Sequence, residues 1–213
     1  RHPNLVTMPW FMLEGLKNRK LSFFHKIYLI IKGKSVSLLF DRLNGTLFCY
    51  FINIFFKNDG KIYFDGNFYY KKLNDGQKVF YPNKRIDRVL INAASHFESV
   101  LSSYSLHLVD FKDNDLVLDC GANIGEINLA LKKKKIFVDY FAFEPDSLTY
   151  ECCLLNNKES KENIKNIGLG DESGQKEFFI DTYGGNSSVV FFGEEKKINI
   201  KIEKLDNLKI NKK

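Results

Sequence analysis

The pattern of apolar and polar positions is clearest in the middle of the chain. Residues 116–118 are apolar and lead into Asp119, and helical spacing of apolar residues begins at Ile127. A short apolar run, a glycine-containing turn and helical periodicity are typical of a buried parallel strand, a tight turn and a packed helix. A second run, residues 138–143, predicts a neighbouring strand that ends at Glu144. We therefore expect an α/β fold with a parallel sheet.

Further elements are predicted on either side of these strands. Residues 85–108 have apolar positions mostly at helical spacing, which indicates a helix before the first strand. A helix with one apolar face follows Glu144 and is expected to end at Asn156 and Asn157. Residues 164–169 predict a third strand. Later strands are predicted at residues 177–180, 188–192 and 198–202.

The N-terminal part of the chain shows two other patterns. Residues 9–31 mix aromatic and basic residues at a spacing that predicts one or two amphipathic helices. Between residues 35 and 81, short β-type runs alternate with Asn-Gly and Asp-Gly turns, which predict an antiparallel meander because such turns need positive φ. Its aromatic side chains either pack in a core or stack on sugar rings. The predicted turns are at residues 44–45, 58–60, 65–66 and 74–76.

The longest apolar run, residues 46–56, is interrupted by Asn53 and is interpreted as strand-like. It is shorter than the roughly 18 residues needed to span a bilayer. We divide the chain into an N-terminal helical and β-meander region, residues 1–81, and a second domain, residues 82–213.

The composition is that of a folded protein with a sizeable core. Of the 213 residues, 44% are hydrophobic and 27% are charged, so extended disorder is not expected. The net charge is +6, and the lysines are scattered. This balance is compatible with anionic glycans, lipid headgroups or nucleic acid and selects none of them. We predict a small-molecule or glycan partner and no nucleic acid.

Four cysteines are present, and their spacing fits neither a zinc site nor a disulfide framework. We expect reduced thiols, no bound metal and a cytoplasmic protein. Residues 9–31 have two interpretations. Their helices either contact a membrane surface peripherally or pack on their own domain or on a partner protein. The oligomeric state is also left open. The cysteines are Cys49, Cys120, Cys152 and Cys153.

The turn after Asp119 does not have the residues of a phosphate-binding loop. A dinucleotide fingerprint needs glycine at its first, third and sixth positions, which here are Gly121, Asn123 and Glu126. A carboxylate in the first turn of the helix repels a pyrophosphate, and no Gly-Lys-Ser/Thr sequence for a P-loop occurs. The loop suits a cationic ligand without phosphates near Asp119 and Glu126, and S-adenosylmethionine is such a ligand.

Glu144 is the second candidate acid. It lies 25 residues after Asp119 (144 − 119), about where an acid at the end of the second strand binds ribose hydroxyls in nucleotide-binding folds. Two acids at the ends of neighbouring strands therefore predict a ligand site. The alternative is a plain α/β core whose strands end in solvated acids.

Three short motifs stand out in the second domain. They are Asp-Cys-Gly-Ala-Asn-Ile-Gly-Glu at residues 119–126, Phe-Glu-Pro-Asp at 143–146 and Gly-Leu-Gly-Asp at 168–171, and residues 186–188 and 198–208 also fit. Together they resemble the FkbM-type O-methyltransferases, a branch of the class I S-adenosylmethionine-dependent enzymes. The resemblance covers roughly residue 82 to the end of the chain. It implies a Rossmann-like class I methyltransferase sheet and S-adenosylmethionine as the cofactor.

The resemblance also implies roles for single residues. Gly121 and Gly125 shape the cofactor loop, Glu144 holds the ribose, and Asp171 lies near the adenine edge. The other residues predicted for the cofactor site are Asp119 and Asn123.

One departure from the family pattern concerns the end of the chain. In the family, a strand of the form apolar-Lys-Ile-Asp-apolar-Glu-Gly follows the Leu205-Asp206 element and contributes to the active site. This chain ends at Lys213, so we expect a fragment or a naturally shortened relative with an incomplete sheet. No residue is therefore assigned as the general base. Tyr104 and His107, in the helix that lies over the cofactor in class I methyltransferases, are weaker candidates for lining the site.

The predicted function is methyl transfer from S-adenosylmethionine to a hydroxyl of a sugar, a glycan or another small acceptor, in surface-polysaccharide synthesis. The loop at residues 183–186 either faces this acceptor or only connects a hairpin. Two other classes stay open. One is a non-catalytic or partner-dependent binding module derived from a methyltransferase. The other is a nicotinamide-dependent oxidoreductase, against which Asn123 and Glu126 argue.

Overall fold

The computed structural model describes residues 22–24, 27–28, 31, 42–55, 59–84, 92–180, 187–190 and 196–210. Within these ranges the chain is a mixed α/β protein with three small sheets of three strands each. Most of residues 9–31, where amphipathic helices are predicted, lie outside the described residues. In the same ranges no helix combines the length and the apolar character needed to cross a membrane.

The N-terminal sheet is an antiparallel meander, as predicted. Its strands β1 (Gly60–Phe64), β2 (Tyr69–Leu73) and β3 (Lys78–Tyr81) pair in the order β1-β2-β3. The predicted turns at residues 65–66 and 74–76 connect them, and Oδ1 of Asp65 accepts two main-chain hydrogen bonds within the first turn. The predicted turn at residues 44–45 lies at the start of a helix and does not join strands, and the predicted turn at 58–60 lies partly outside the described residues.

The prediction of a strand over residues 46–56 is wrong in its described part, because residues 46–55 belong to helix α1 (Gly45–Phe55). The polar interruption, Asn53, forms two hydrogen bonds of 2.8 and 2.9 Å with the main chain of Ile62 in β1. The side chain of this helical residue therefore forms hydrogen bonds with main-chain groups at the edge of the meander. An apolar run of this length fits a strand and a buried helix equally well. The buried side chains of α1 are those of Phe48, Cys49 and Ile52.

The middle of the chain forms the predicted parallel sheet. Helix α2 (Ala93–Ser103) precedes β4 (Leu116–Cys120), α3 (Glu126–Lys133), β5 (Asp139–Phe143), α4 (Ser147–Asn156) and β6 (Ile164–Lys165). The strands pair in the order β4-β5-β6, all parallel, and the register sets Cys120 opposite Phe143. The predicted strand, turn and helix from residue 116 onward are thus confirmed, as is the end of α4 at Asn156.

The predicted third strand, residues 164–169, is divided between two sheets. Its first part is β6, whereas β7 (Gly168–Leu169) belongs to a sheet with β8 (Gly174–Phe179) and β9 (Lys197–Glu203), in the order β7-β9-β8. A β-carbon on Gly168 would lie 2.7 Å from the Ile202 side chain. Because residue 168 is a glycine, β9 can approach closely, and β7 pairs with β9.

The predicted strand at residues 188–192 is not formed in its described part. Ser188 makes only an isolated antiparallel bridge with Phe179. Residues 191–192 and the loop at 183–186 lie outside the described residues.

One cluster of buried side chains joins the meander to the parallel sheet. Phe48 and Val79 belong to the same cluster as Phe97 of α2, Leu131 of α3 and Cys152 of α4. Burial of such side chains stabilises a fold by roughly 1.5–3 kcal/mol each. The division of the chain at residue 82 stays a prediction, and the parts on either side of it share this core.

Candidate functional site

The turn between β4 and α3 adopts the left-handed backbone conformation at every second residue. The φ angles are +79° at Gly121, +54° at Asn123 and +76° at Gly125. Glycine adopts this region without strain, and asparagine is one of the few other residues that tolerate it. The amides of Gly121 and Ala122 both donate to the carbonyl oxygen of Phe143, at 2.9 and 3.0 Å. The loop is thereby attached to the end of β5.

Glu144, the residue after β5, is oriented by main-chain hydrogen bonds. Its Oε2 accepts from the amide of Asn123 at 2.7 Å, and its Oε1 accepts from the amide of Asp146 at 2.9 Å. The side chain is buried, and the carbonyl oxygen of Glu144 accepts from Nδ2 of Asn166 at 2.8 Å. The fold thus brings two predicted site residues, Asn123 and Glu144, into direct contact.

A cleft of about 160 Å³ opens beside this contact. Of the predicted cofactor-site residues, Gly121, Asn123 and Glu144 line it, and Asp146 adds a second carboxylate. None of its described lining residues is basic. Typical small-molecule sites measure roughly 300–1,000 Å³, so the described walls enclose space for one ring-sized group. The remaining lining residues are Pro145, Thr149, Phe178 and Ser187.

Asp119 is buried at the end of β4 and does not line the cleft. Its Oδ2 accepts a hydrogen bond of 2.6 Å from the Tyr140 hydroxyl. Burial raises the pKa of the Asp119 carboxyl to about 6, the bond from Tyr140 opposes this, and the charge of Glu126 adds to it. The pKa of Tyr140 is raised well above its usual value, first by burial and then by Asp119. Asp119 thus adds negative charge near the loop without contacting the cleft.

Glu126, the first residue of α3, has a protein partner in α2. Its Oε1 lies 2.8 Å from Nε2 of His96, and both side chains are largely buried. A carboxylate at a helix N-terminus is stabilised by the helix dipole, and here it also connects α2 to α3. His96 belongs to no motif. The sequence indicates it only through its position in the helix predicted before the first strand.

Two asparagines at the end of α4 hold the glycine loop. Nδ2 of Asn156 donates to the carbonyl oxygens of Ile124 and Phe80 at 2.9 and 3.1 Å, and its Oδ1 accepts from the amide of Phe80 at 2.7 Å. Nδ2 of Asn157 donates to the carbonyl oxygen of Gly125 at 3.3 Å. The sequence pattern predicts that the helix ends at these two residues, but it does not predict their contacts with the loop. Asn156 therefore links the meander to the loop that borders the cleft.

The other predicted residues do not line the cleft. Asp171 is exposed, and its Oδ1 lies 3.7 Å from Nζ of Lys176. Gly125 is buried against α4. Tyr104 and His107 are exposed and are also absent from the lining.

Comparison with protein-family models gives no match for this chain, and comparison with curated proteins gives none. In the part of the chain that the structure describes, no group of three or more His, Cys, Asp or Glu side chains is arranged to hold a metal ion. The chemistry of the cleft and of the loop beside it is therefore what points to a function.

Proposed function

We propose that this chain is an S-adenosylmethionine-dependent O-methyltransferase of the FkbM type, which methylates a hydroxyl of a sugar, a glycan or another small acceptor. The observation that carries this proposal is the contact between Asn123 and Glu144. Because of it, the left-handed loop and the acid that follows the next strand border one cleft. Nucleotide-binding α/β folds bind ligands outside the carboxyl ends of their strands, and an acid after the second strand binds the ribose.

The charges around the cleft suit this cofactor. Glu144 and Asp146 supply negative charge, and the described lining has no Lys or Arg to balance a phosphate. Glu126 adds a carboxylate at the N-terminus of α3, where a pyrophosphate would otherwise bind. S-adenosylmethionine has a sulfonium, an ammonium and no phosphate. When bound, it supplies a methyl group on a positively charged sulfur, which is a good leaving group.

In this proposal, the residues of the chain bind the cofactor and orient it relative to the acceptor. Main-chain amides fix the Glu144 carboxylate in one orientation, and a carboxylate has about four acceptor positions in total. Gly121 leaves space beside the loop, because a β-carbon there would meet no atom within 4 Å. Alignment of donor and acceptor is the main contribution a protein makes to such a displacement. No residue is assigned as the general base.

The parallel order β4-β5-β6, with helices between the strands, also supports the proposal, because each half of a Rossmann fold is built from three parallel strands with helices between them. We extend the proposal to a class I methyltransferase domain over residues 82–213. A nicotinamide-dependent oxidoreductase is disfavoured, because Asn123 and Glu126 stand where its loop needs glycine and the cleft is acidic.

A partner-dependent binding module is the second candidate, and the edge of the parallel sheet favours it. Among the described strands β4 pairs with β5 alone. Its other edge therefore presents main-chain groups that another strand could pair with.

Calorimetric titration of the full chain with S-adenosylmethionine tests the proposal. We expect saturable binding that is about 10- to 100-fold weaker in Glu144→Gln, because a hydrogen bond to a charged group contributes about 1.5–3 kcal/mol. Gly121→Asn should also weaken binding, since asparagine tolerates positive φ and its side chain enters the cleft. Glu162→Gln, at an exposed acid outside the lining, is the matched control and should bind as the parent does.

Thermal denaturation of each variant separates loss of binding from loss of fold. A folded parent chain that does not bind S-adenosylmethionine overturns the proposal, and so does equal binding by Glu144→Gln and the parent. Binding that is gained only when a strand-forming partner is added supports the second candidate.

A further inference from the structure

The outward face of the meander carries a row of three lysines. The strand register places Lys72 of β2 directly opposite both Lys61 of β1 and Lys78 of β3, and all three side chains are exposed. Neighbouring strands are about 4.8 Å apart, so three positive charges start within about 10 Å of one another. Like charges directly opposite each other in a sheet are destabilising.

A second row on this face is aromatic. Tyr63, Tyr70 and Phe80 are opposite one another in the same register. The rings of Tyr63 and Tyr70 stack with centroids 5.3 Å apart, and the rings of Tyr70 and Phe80 are also 5.3 Å apart. Nζ of Lys78 lies 4.9 Å from the centre of the Tyr70 ring. We call these three lysines and three aromatic residues the meander face.

Neighbouring acids do not balance the charge of the meander face. Within the described ranges, none of its lysines forms an ion pair. Asp75, in the turn between β2 and β3, pairs with Lys133 of α3 at 2.8 Å. Asp59 pairs with Lys71, which is buried on the opposite side of the sheet. An anionic ligand on this face would relieve the repulsion among the three lysines.

The aromatic row selects among anionic ligands. Single-stranded nucleic acid stacks its bases on exposed ring faces, but Tyr70 lies between the rings of Tyr63 and Phe80, so its own faces are covered. Entry into a bilayer needs apolar side chains that reach past the charged groups, whereas Tyr70 and Phe80 are half-buried. Hydroxyl donors beside ammonium groups match a chain of sugars that carries carboxylates.

We propose that the meander face binds an acidic oligosaccharide. The ammonium groups of Lys61, Lys72 and Lys78 contact its carboxylates, and the hydroxyls of Tyr63 and Tyr70 bind its sugar oxygens. This inference does not depend on methyl transfer. Where both proposals hold, the meander face recognises the glycan that carries the acceptor hydroxyl.

Calorimetric titration of the full chain with an oligogalacturonate, without a methyl donor, tests this inference independently of the proposed activity. We expect binding that weakens as salt is added. Lys72→Gln should weaken it about fivefold, and Tyr63→Phe, which removes only the hydroxyl, about threefold. Lys158→Gln and Tyr104→Phe, at exposed residues outside the meander face, are the matched controls and should bind as the parent does, and a neutral dextran oligomer should not bind.

The ligand-free Lys72→Gln variant should melt about 1 °C above the parent, because it relieves repulsion in the lysine row. Weaker binding by this variant is then not a result of unfolding. Unchanged binding in Lys72→Gln overturns the proposal. Tighter binding to an oligothymidylate or to phosphatidylserine vesicles than to the oligogalacturonate overturns it as well.

Discussion

A β-carbon on Gly125 would lie 2.1 Å from Nδ2 of Asn157. The same amide nitrogen donates to the carbonyl oxygen of Gly125, and Sγ of Cys153 would be 3.0 Å from the added carbon. Gly125 is therefore needed for the packing of α4 against the loop as well as for its positive φ. Gly121 has nearly the same φ, but open space surrounds the position of its β-carbon.

The two glycines should differ in their tolerance of alanine. We expect Gly121→Ala to lower the free energy of unfolding by about 1–2 kcal/mol, the cost of left-handed φ alone. Gly125→Ala adds a clash with Asn157 and should lower it by about 3 kcal/mol or more. Urea denaturation of both variants measures the difference. Equal losses would contradict the close packing of α4 on the loop.

Asn156 should be required for the attachment of the meander. Asn156→Ala removes three hydrogen bonds, two with the main chain of Phe80 and one with that of Ile124. We expect a loss of about 2–4 kcal/mol in the free energy of unfolding, because buried main-chain groups are left without partners, and faster hydrogen exchange at the Phe80 amide. Asn67→Ala, in an exposed turn, is the control, and similar losses in both variants would argue against the link.

The parts of the fold that follow from the sequence are local. The strand before Asp119, the loop and α3 are specified by an apolar run, turn residues and helical periodicity within about a dozen residues. Helix α1 is not, because its apolar run fits both periodicities, and Asn53, which interrupts the run, has its hydrogen-bond partner in β1. The division of residues 164–169 depends on Ile202, which lies far along the chain.

The candidate site likewise contains some contacts that the sequence predicts and others that it does not. The sequence predicts Asp119 and Glu144 at the ends of neighbouring parallel strands, beside the loop that contains Asn123. Of these two acids, Glu144 contacts the loop, through the amide of Asn123. Asp119 lies near the end of the strand that leads into the loop, yet its side chain contacts Tyr140 and does not line the cleft. The pairing of His96 with Glu126 has no local pattern, since 30 residues separate the two.

Asp119 should make the stability of the protein depend on pH. Its pKa is raised to about 6 by burial, so the folded state holds the proton more tightly than the unfolded chain, whose aspartate pKa is about 3.9. The free energy of unfolding should therefore fall by about 2–3 kcal/mol as the pH rises from about 4 through 6, and this contribution should be constant above that.

Asp119→Asn keeps an acceptor for the Tyr140 hydroxyl and removes the charge. We expect the variant to match the parent near pH 4 and to exceed it in stability by about 2 kcal/mol near pH 7.5. Denaturation at a series of pH values measures this difference. A difference that does not change with pH would show that Asp119 is not protonated more readily in the folded state.

Cys120 should be the thiol that reacts in the folded protein. It is exposed at the end of β4, while Cys49, Cys152 and Cys153 are buried. Partial desolvation of its thiol raises the pKa of Cys120, and the charge of Asp119 raises it further; the thiolate is the reactive form. We expect a thiol reagent to label one cysteine, at a rate that rises with pH and is greater in Asp119→Asn, where the charge is absent. Cys120→Ser should abolish the labelling. Labelling that persists in Cys120→Ser, or a rate unchanged by Asp119→Asn, would contradict the arrangement of these two residues at the strand end.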